Sequence, residues 1–224
     1  MQNGIVLSIC DRTGRMVAPW AAAGFECICV DLQHEEIARH PDLPITFIGG
    51  DIRDWLPPKV EYKIAFAFPP CTDLAISGAR WFRRKGLGKL ADALSIVEAC
   101  RCICEWAKAP WMLENPVSSL STYWREPDVT FNPCDYGGYL DPAGDHYTKR
   151  TCLWCGGGFR MPRLNWVPPV EGSKMHLIPP CENRGDIRSE TPAGFAQAVF
   201  EANVTGSYVE QPSLFSFGEM AEFP

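Results

Sequence analysis

The stretch Phe66-Ala67-Phe68-Pro69-Pro70-Cys71-Thr72-Asp73 constrains this chain more than any other. An apolar, β-prone run from Ile64 to Phe68 stops at two prolines, and a thiol follows at once. Proline has no N–H for a buried ladder, so the strand ends there. In an open α/β sheet, the loop past a strand's carboxyl end is where ligands bind. Cys71 therefore stands where a nucleophile would stand. Trp111-Met112-Leu113-Glu114-Asn115-Pro116 repeats the pattern: a short apolar strand runs into Glu-Asn-Pro. A thiol and a carboxylate at neighbouring strand ends make a covalent site with its own acid. Free cysteine is also among the most buried residue types, and the chain holds 11 of them. The weight therefore rests on the Pro-Pro context and on the pairing with Glu114.

Around these two strand ends the pattern is α/β. Ile5 to Ile9 reads as a first strand, Asp11-Arg12-Thr13-Gly14 as a turn, and Met16 to Ala23 as a short helix ended by Gly24. Cys27 to Val30 is a second strand closed by Asp31, and His34 to Arg39 a helical turn. Ile45 to Ile48 is a third strand and Ile64 to Phe68 a fourth. A helix from about Leu90 to Lys108 follows, then a fifth strand at Trp111 to Leu113. Strands alternating with helices imply a doubly wound, mostly parallel sheet. From Ser118 to Pro180 the chain is rich in Pro, Gly and Trp, with one clear strand near Thr151 to Cys155. Thr191-Pro192 opens a last helix, Ala193 to Ala202. The division expected is a cofactor-binding and catalytic domain (1–156 with 186–204), a short substrate-facing insertion (157–185) that makes a small irregular Gly/Pro-rich lobe, and a loosely ordered tail (205–224).

With 224 residues and 46% hydrophobic content, the chain can bury one sizeable core. No stretch is long and apolar enough to span a bilayer, and no signal-peptide pattern opens the chain. Cysteines scattered through strands and a helix indicate thiols in a reducing cytoplasm rather than a disulfide framework. A net charge of −6 is unusual for a protein that grips nucleic acid by bulk attraction. The distribution matters more. Ser77 to Leu90 carries Arg80, Arg83, Arg84, Lys85 and Lys89 and no acid, starting six residues past Cys71. Beside a nucleophile, that segment reads as a phosphate-contacting loop.

Strand, turn with Gly14, helix, strand, acid is the layout of a nucleotide-type cofactor site, with Asp31 placed for ribose hydroxyls. Asp51-Ile52, past the third strand, offers a carboxylate to an adenine amino group and an aliphatic chain to its face. One glycine in the turn is too few for a pyrophosphate cradle, which disfavours a dinucleotide. S-adenosylmethionine has no phosphate and fits better.

Taken together, these residues resemble the DNA cytosine-C5 methyltransferases, patchily but over most of the chain. Val6-Leu7-Ser8-Ile9-Cys10 with Gly14, then Ala23-Gly24-Phe25-Glu26, matches the family's cofactor loop; Asp31 and Asp51-Ile52 match its ribose and adenine contacts. Pro69-Pro70-Cys71-Thr72 matches its Pro-Cys-Gln nucleophile motif, with Gly78 and Arg80 at the spacing of that motif's later Gly and Arg. Glu114-Asn115-Pro116 is similar to its Glu-Asn-Val motif, and Lys149-Arg150-Thr151 to its cytosine-contacting Arg motif, with either Lys149 or Arg150 as the contact. Ser189-Glu190-Thr191-Pro192 is similar to its C-terminal cofactor motif. The resemblance implies the fold of S-adenosylmethionine-dependent methyltransferases and transfer of a methyl group to C5 of cytosine in DNA. It implies Cys71 as nucleophile, Glu114, Lys149 and Arg150 as its partners, and Ser8, Cys10, Gly14, Asp31, Leu32, Asp51, Ile52, Pro69 and Ser189 around the cofactor. Asn115, Arg80, Arg83, Arg84 and Lys85 would face the substrate. A base in duplex DNA must first be flipped out.

The chain departs from the family's pattern in several places. Arg12 replaces a glycine, Ser8 stands where an acid is usual, and Thr72 replaces glutamine. Only Gly157 to Ile187 is available for target recognition, so sequence preference should be weak or short. RNA or a free cytosine nucleotide is an alternative substrate. Arg12 would suit a cofactor carrying an extra carboxylate and a modified group, and a non-catalytic binder with a degenerate fold is a further alternative. Cys134, Cys152, Cys155 and Cys181 suggest structural zinc, but Cys152 and Cys155 on one strand would point to opposite faces. No metal site is assigned. His146 and His176 read as ordinary surface or core histidines.

Overall fold

A computed structural model of the chain describes residues 4–173, 178–179 and 184–205. Eight strands form one sheet: β1 (Ile5–Ile9), β2 (Cys27–Asp31), β3 (Ile37–Arg39), β4 (Ile45–Gly49), β5 (Tyr62–Ala67), β6 (Trp111–Pro116), β7 (Val129–Phe131) and β8 (Thr151–Gly156). Their spatial order is β3-β4-β2-β1-β5-β6-β8-β7. β4, β2, β1, β5 and β6 are mutually parallel, and β8 runs antiparallel to both β6 and β7. Leaving out the edge hairpin strand β3, the parallel part has the 3-2-1-4-5 order of doubly wound nucleotide-binding sheets. The chain direction switches between β1 and β5, and a crevice opens beyond their carboxyl ends.

Alternation along the strands builds two cores. Val6, Phe66, Met112 and Leu153 face one side, where α1 (Ala18–Ala22) contributes Trp20 and the last helix contributes Phe195 and Val199. Leu7, Ile9, Ala65, Leu113 and Trp154 face the other, against Ala93, Val97, Cys100 and Cys104 of α2 (Phe82–Trp106). The 93, 97, 100, 104 spacing is one helical stripe, so these helix thiols are core, as the periodicity indicates. β1, β5 and β6 are covered on both faces, which is why they read as continuous apolar runs.

Several elements differ from the sequence reading. His34 to Arg39 is not a helical turn. Ile37–Arg39 is an exposed edge strand paired antiparallel to β4, Ile37 opposite Ile48 and Arg39 opposite Thr46. The pairing satisfies a β4 edge that would otherwise be open. α2 begins at Phe82, eight residues earlier than Leu90, because the chain resumes helix after one non-helical residue, Gly86 at φ 79° and ψ 175°. β6 continues through Glu114 to Pro116 because β8 pairs with it residue by residue. The short strand β7, α3 (Leu120–Tyr123) and α4 (Arg184–Ser189) carry too little periodicity to be read. α5 (Ala193–Val204) is the expected last helix.

Residues 157–173 leave β8 at the sheet edge opposite Cys71, because β8 runs antiparallel. They then lie along 133–148: Val167 N–H donates to Cys134 O at 2.9 Å, Glu171 N–H to His146 O at 2.9 Å and Thr148 N–H to Gly172 O at 2.8 Å. The irregular lobe is thus bonded to its own domain. Cys152 is buried on the α2 side of β8, whereas Cys155 packs against the opposite core. Among the described residues no three His, Cys, Asp or Glu side chains are placed to hold a metal. Cys181, His176 and the chain beyond Thr205 lie outside the described residues. No described helix is long and apolar enough to cross a membrane.

Candidate active site

The β1–α1 turn is organised by a residue that sequence reading passed over. Asp11 is buried, and its carboxylate accepts the Ser8 hydroxyl at 2.7 Å, Thr13 N–H at 3.0 Å and Gly14 N–H at 2.8 Å. The motif comparison puts the acid at Ser8, but the acid sits three residues later and Ser8 serves it. Ser8 has no solvent exposure, so it positions the turn rather than touching a ligand. Gly14, at φ +66°, sits where a Cβ would press on the Phe47 ring at 3.2 Å. With the turn's N–H groups held by a carboxylate, a phosphate would have to displace an internal anion. The turn suits a cofactor without phosphate. Cys10, also expected beside the cofactor, has φ 54° and turns its sulfur to Cys100 Sγ at 3.7 Å.

Past β5, Phe68 N–H donates to Ile9 O at 3.0 Å, so the Pro69-Pro70-Cys71 loop leaves the sheet beside the β1 turn, at the switch point. Asn115 is fully buried, and its Nδ2 donates to Pro69 O at 2.9 Å. It does not face substrate as expected; it ties the Pro69-Pro70-Cys71 loop to β6. Beyond Cys71, its carbonyl accepts Leu74 N–H at 3.0 Å and Ala75 N–H at 2.8 Å. Lys85 Nζ reaches Asp73 Oδ1 at 2.6 Å and Thr72 O at 2.8 Å. Lys85 therefore braces this loop, and its ammonium is committed inside the chain.

Glu114, Lys149, Thr151, Phe68, Phe131 and the Ser189–Pro192 segment between α4 and α5 line one cleft of about 220 Å³, open mouth included. One carboxyl oxygen of Glu114 is buried there without a hydrogen-bond partner among the described residues. Burial pushes its carboxyl above the usual carboxylate range, and the Lys149 ammonium opposes the shift. The Cys71 thiol is raised by burial first and then by the Glu114 charge; Lys149, a backbone N–H and Arg188 pull it down. Cys71, Glu114, Lys149 and Arg188 therefore form one electrostatic cluster. Of Lys149 and Arg150, both just ahead of β8, Lys149 lines the cleft with Thr151, whereas Arg150 is exposed and acts on Cys152. Arg188, on α4, carried no motif signal. Only its place one residue before Ser189 hinted at the site.

At the other end of the crevice, Asp31 Oδ1 accepts Gln33 N–H at 2.8 Å, and Leu32 is 71% exposed. Ile52 is buried, while Asp51 is paired with Arg53, which holds its carboxyl down at about 2. A hollow of about 530 Å³, open to solvent, lies nearby between Arg53, Pro70, Thr72, Lys89 and Asp92. Neither Asp31 nor Leu32 is among the residues that line this hollow. Arg15 pairs with Glu190 at 3.0 Å, joining the cofactor turn to the segment before α5. Arg80 stacks on Trp81 with its guanidinium 5.1 Å from the ring centre, and Arg80, Arg83 and Arg84 are not deeply buried.

No protein-family model matches the chain, and no curated protein matches it. Among solved structures, the glycopeptide N-methyltransferase MtfA is similar at 16% identity and a TM-score of 0.31, over 68% of this chain and 65% of that one. The same enzyme complexed with S-adenosyl-L-homocysteine gives 14% identity and a TM-score of 0.32, over 73% and 61%. The chain thus spans less than two thirds of either. At these scores the likeness does not extend to a site or a reaction.

Proposed function

We propose that this protein is an S-adenosylmethionine-dependent methyltransferase that acts on C5 of cytosine in DNA, with little sequence demand. The observation that carries the reading is a buried carboxyl with an orphaned oxygen and an ammonium in one cleft, Glu114 and Lys149, both of which act electrostatically on the Cys71 thiol at the neighbouring strand end. Asp31, Leu32, the turn around Gly14 and the hollow beside Asp51 and Ile52 would hold the cofactor. Bound there, S-adenosylmethionine supplies an electrophilic methyl group on a sulfonium centre.

The chain's own residues do the rest. Glu114, whose protonated form burial favours, donates a proton to ring N3 and fills its unmet hydrogen bond. Lys149 stands beside the negative charge that this transfer leaves on the Glu114 carboxylate. Cys71 adds as thiolate to C6, which makes C5 enamine-like and nucleophilic. After transfer, the C5 proton passes to solvent water, elimination returns the thiolate, and N3 gives its proton back to the Glu114 carboxylate. Asn115 and Lys85 hold the loop that aims the sulfur.

The test is DNA carrying 5-fluorocytosine, incubated with protein and cofactor. Fluorine cannot leave as the C5 proton does, so a covalent complex should persist on a denaturing gel and be absent for Cys71→Ala. Neither adduct nor 5-methylcytosine on duplex DNA, single-stranded DNA or deoxycytidine monophosphate would remove the reading. Activity confined to the mononucleotide would favour a second one, the same chemistry on a free nucleotide. Two observations support that alternative: residues 157–173 are bonded to their own domain, and Lys85 is spent on the loop.

A further inference from the structure

We infer that Arg80 and Trp81 form a stacking platform for a base next to the target cytosine, and that the DNA taken is unpaired. The inference rests on the reading of cytosine in DNA as the substrate and names its strand state. The chain from Ile76 to Lys85 is tied at both ends beside Cys71. At one end Ile76 N–H donates to Val117 O at 3.0 Å and Ser119 N–H to Leu74 O at 3.0 Å, against the stretch that follows Glu114 and Asn115. At the other end Lys85 Nζ reaches Asp73 Oδ1 at 2.6 Å and Thr72 O at 2.8 Å. Trp81 stands four residues, one helical turn, ahead of Lys85.

Between those ties the side chains meet water. Trp81 is 45% exposed, with the Arg80 guanidinium 5.1 Å from its ring centre. Arg80, Arg83 and Arg84 are exposed, and among the described residues none of the three has an ion-pair partner. A flat ring stacked with a cation, among uncompensated cations, matches a ligand that is anionic along its length and carries flat faces: a nucleic acid strand. In a duplex each base face is covered by its neighbours, so the indole has nothing to stack on. In an unpaired strand the faces are open, and the cytosine need not be drawn out of a helix. A duplex must also be held on its far side. Residues 157–173, the stretch available for that, are hydrogen-bonded to 133–148 instead.

The experiment measures fluorescence anisotropy of a labelled cytosine-containing oligonucleotide with the full chain. It is presented as a single strand, as a duplex, and as an abasic sugar-phosphate chain of equal length. Wild type should bind the single strand about tenfold or more tightly than the duplex. Trp81→Ala should weaken the single-strand complex about tenfold, leave binding of the abasic chain unchanged, and keep the slope of log affinity against log salt. Trp81→Phe should retain most of the affinity, since its ring still stacks. Thermal unfolding of each variant shows that it is folded. Duplex binding as tight as single-strand binding overturns the inference, as does no binding of the single strand. So does a folded Trp81→Ala that binds like wild type, or one that loses as much on the abasic chain. The assay reads no methyl transfer, so its failure is separable from failure of the proposed reaction: cytosine methylation in duplex DNA without a single-strand preference would keep that reaction and remove the platform.

Discussion

Replacing Asp11 by alanine should be among the most damaging single changes near the site. Its carboxylate serves two buried donors, the Ser8 hydroxyl at 2.7 Å and Gly14 N–H at 2.8 Å. It also serves Thr13, which is exposed and can turn to water. Each buried donor left without a partner costs about 1–3 kcal/mol, so Asp11→Ala should lose about 2–6 kcal/mol. That is a large part of the ~5–15 kcal/mol that holds a domain folded. Asp11→Asn is the control. Its amide oxygen can accept the two turn N–H groups, and its NH₂ can donate to Ser8, so only the charge-assisted share goes, about 1–2 kcal/mol. Urea unfolding followed by tryptophan fluorescence should rank wild type above Asn above Ala, with unchanged slopes. Calorimetry with S-adenosylmethionine should give the same ranking for affinity. Asp11→Ala within about 0.5 kcal/mol of wild type would mean that the carboxylate does not organise the turn, and the fit to a phosphate-free cofactor would fall with it.

Cys71→Ala should abolish turnover and keep cofactor affinity, because Cys71 lies past the switch point from the turn; wild-type transfer by this variant would falsify the covalent mechanism. Asn115→Leu removes the bond to Pro69 O and should cost about 1–3 kcal/mol in urea along with most of the activity, whereas full activity would free the loop from β6. Gly14→Ala should lose about 1–2 kcal/mol from its left-handed backbone alone, checked by thermal unfolding. Glu114 gives a pH signature. Its folded carboxyl is raised above the ordinary 4.5, so the native state keeps a proton that the unfolded chain has lost. Its stabilising contribution is complete below pH 4.5 and declines as pH rises through the raised value. Glu114→Gln should therefore match wild type near pH 4 and exceed it in stability at pH 7; equal stabilities at pH 7 would deny the buried, raised carboxyl.

Where local physics decides, the sequence already shows the answer. Pro69-Pro70 must end β5, continuous apolar strands must bury both faces, and Leu94 and Val97 with Cys100 and Cys104 must make a helix stripe. Glu114 beside Cys71 follows from two strand ends in one parallel sheet. What could not be read depends on partners distant in the chain. β3 exists only because β4 lends it an edge. Glu114 and Asn115 belong to a strand only because β8 pairs with them, and that pairing sends their side chains to opposite sides. One then faces the cleft, while the other clamps Pro69 from 46 residues away. Lys85 looked like one cation in a basic run, yet Asp73 and Thr72 O claim it. Arg188 had no signal of its own, since a six-residue helix has no pattern to recognise.

The electrostatics of the cleft also say when the chemistry can start. Burial pushes both Cys71 and Glu114 toward their neutral forms, and the Glu114 charge raises the cost of a Cys71 thiolate further. Burial thus works against a thiolate and a carboxylate standing side by side in the empty site. A ring nitrogen that accepts the Glu114 proton changes this balance. It shares that proton in a hydrogen bond, keeps the carboxyl from ionising fully, and brings an electron-poor carbon to the sulfur. Lys149 and Arg188 then have one anion to stabilise rather than two. On this account selectivity for the correct base lies in the proton exchange at Glu114 as much as in any contact to neighbouring nucleotides. It would suit a protein whose lobe beyond β8 is bonded to its own domain.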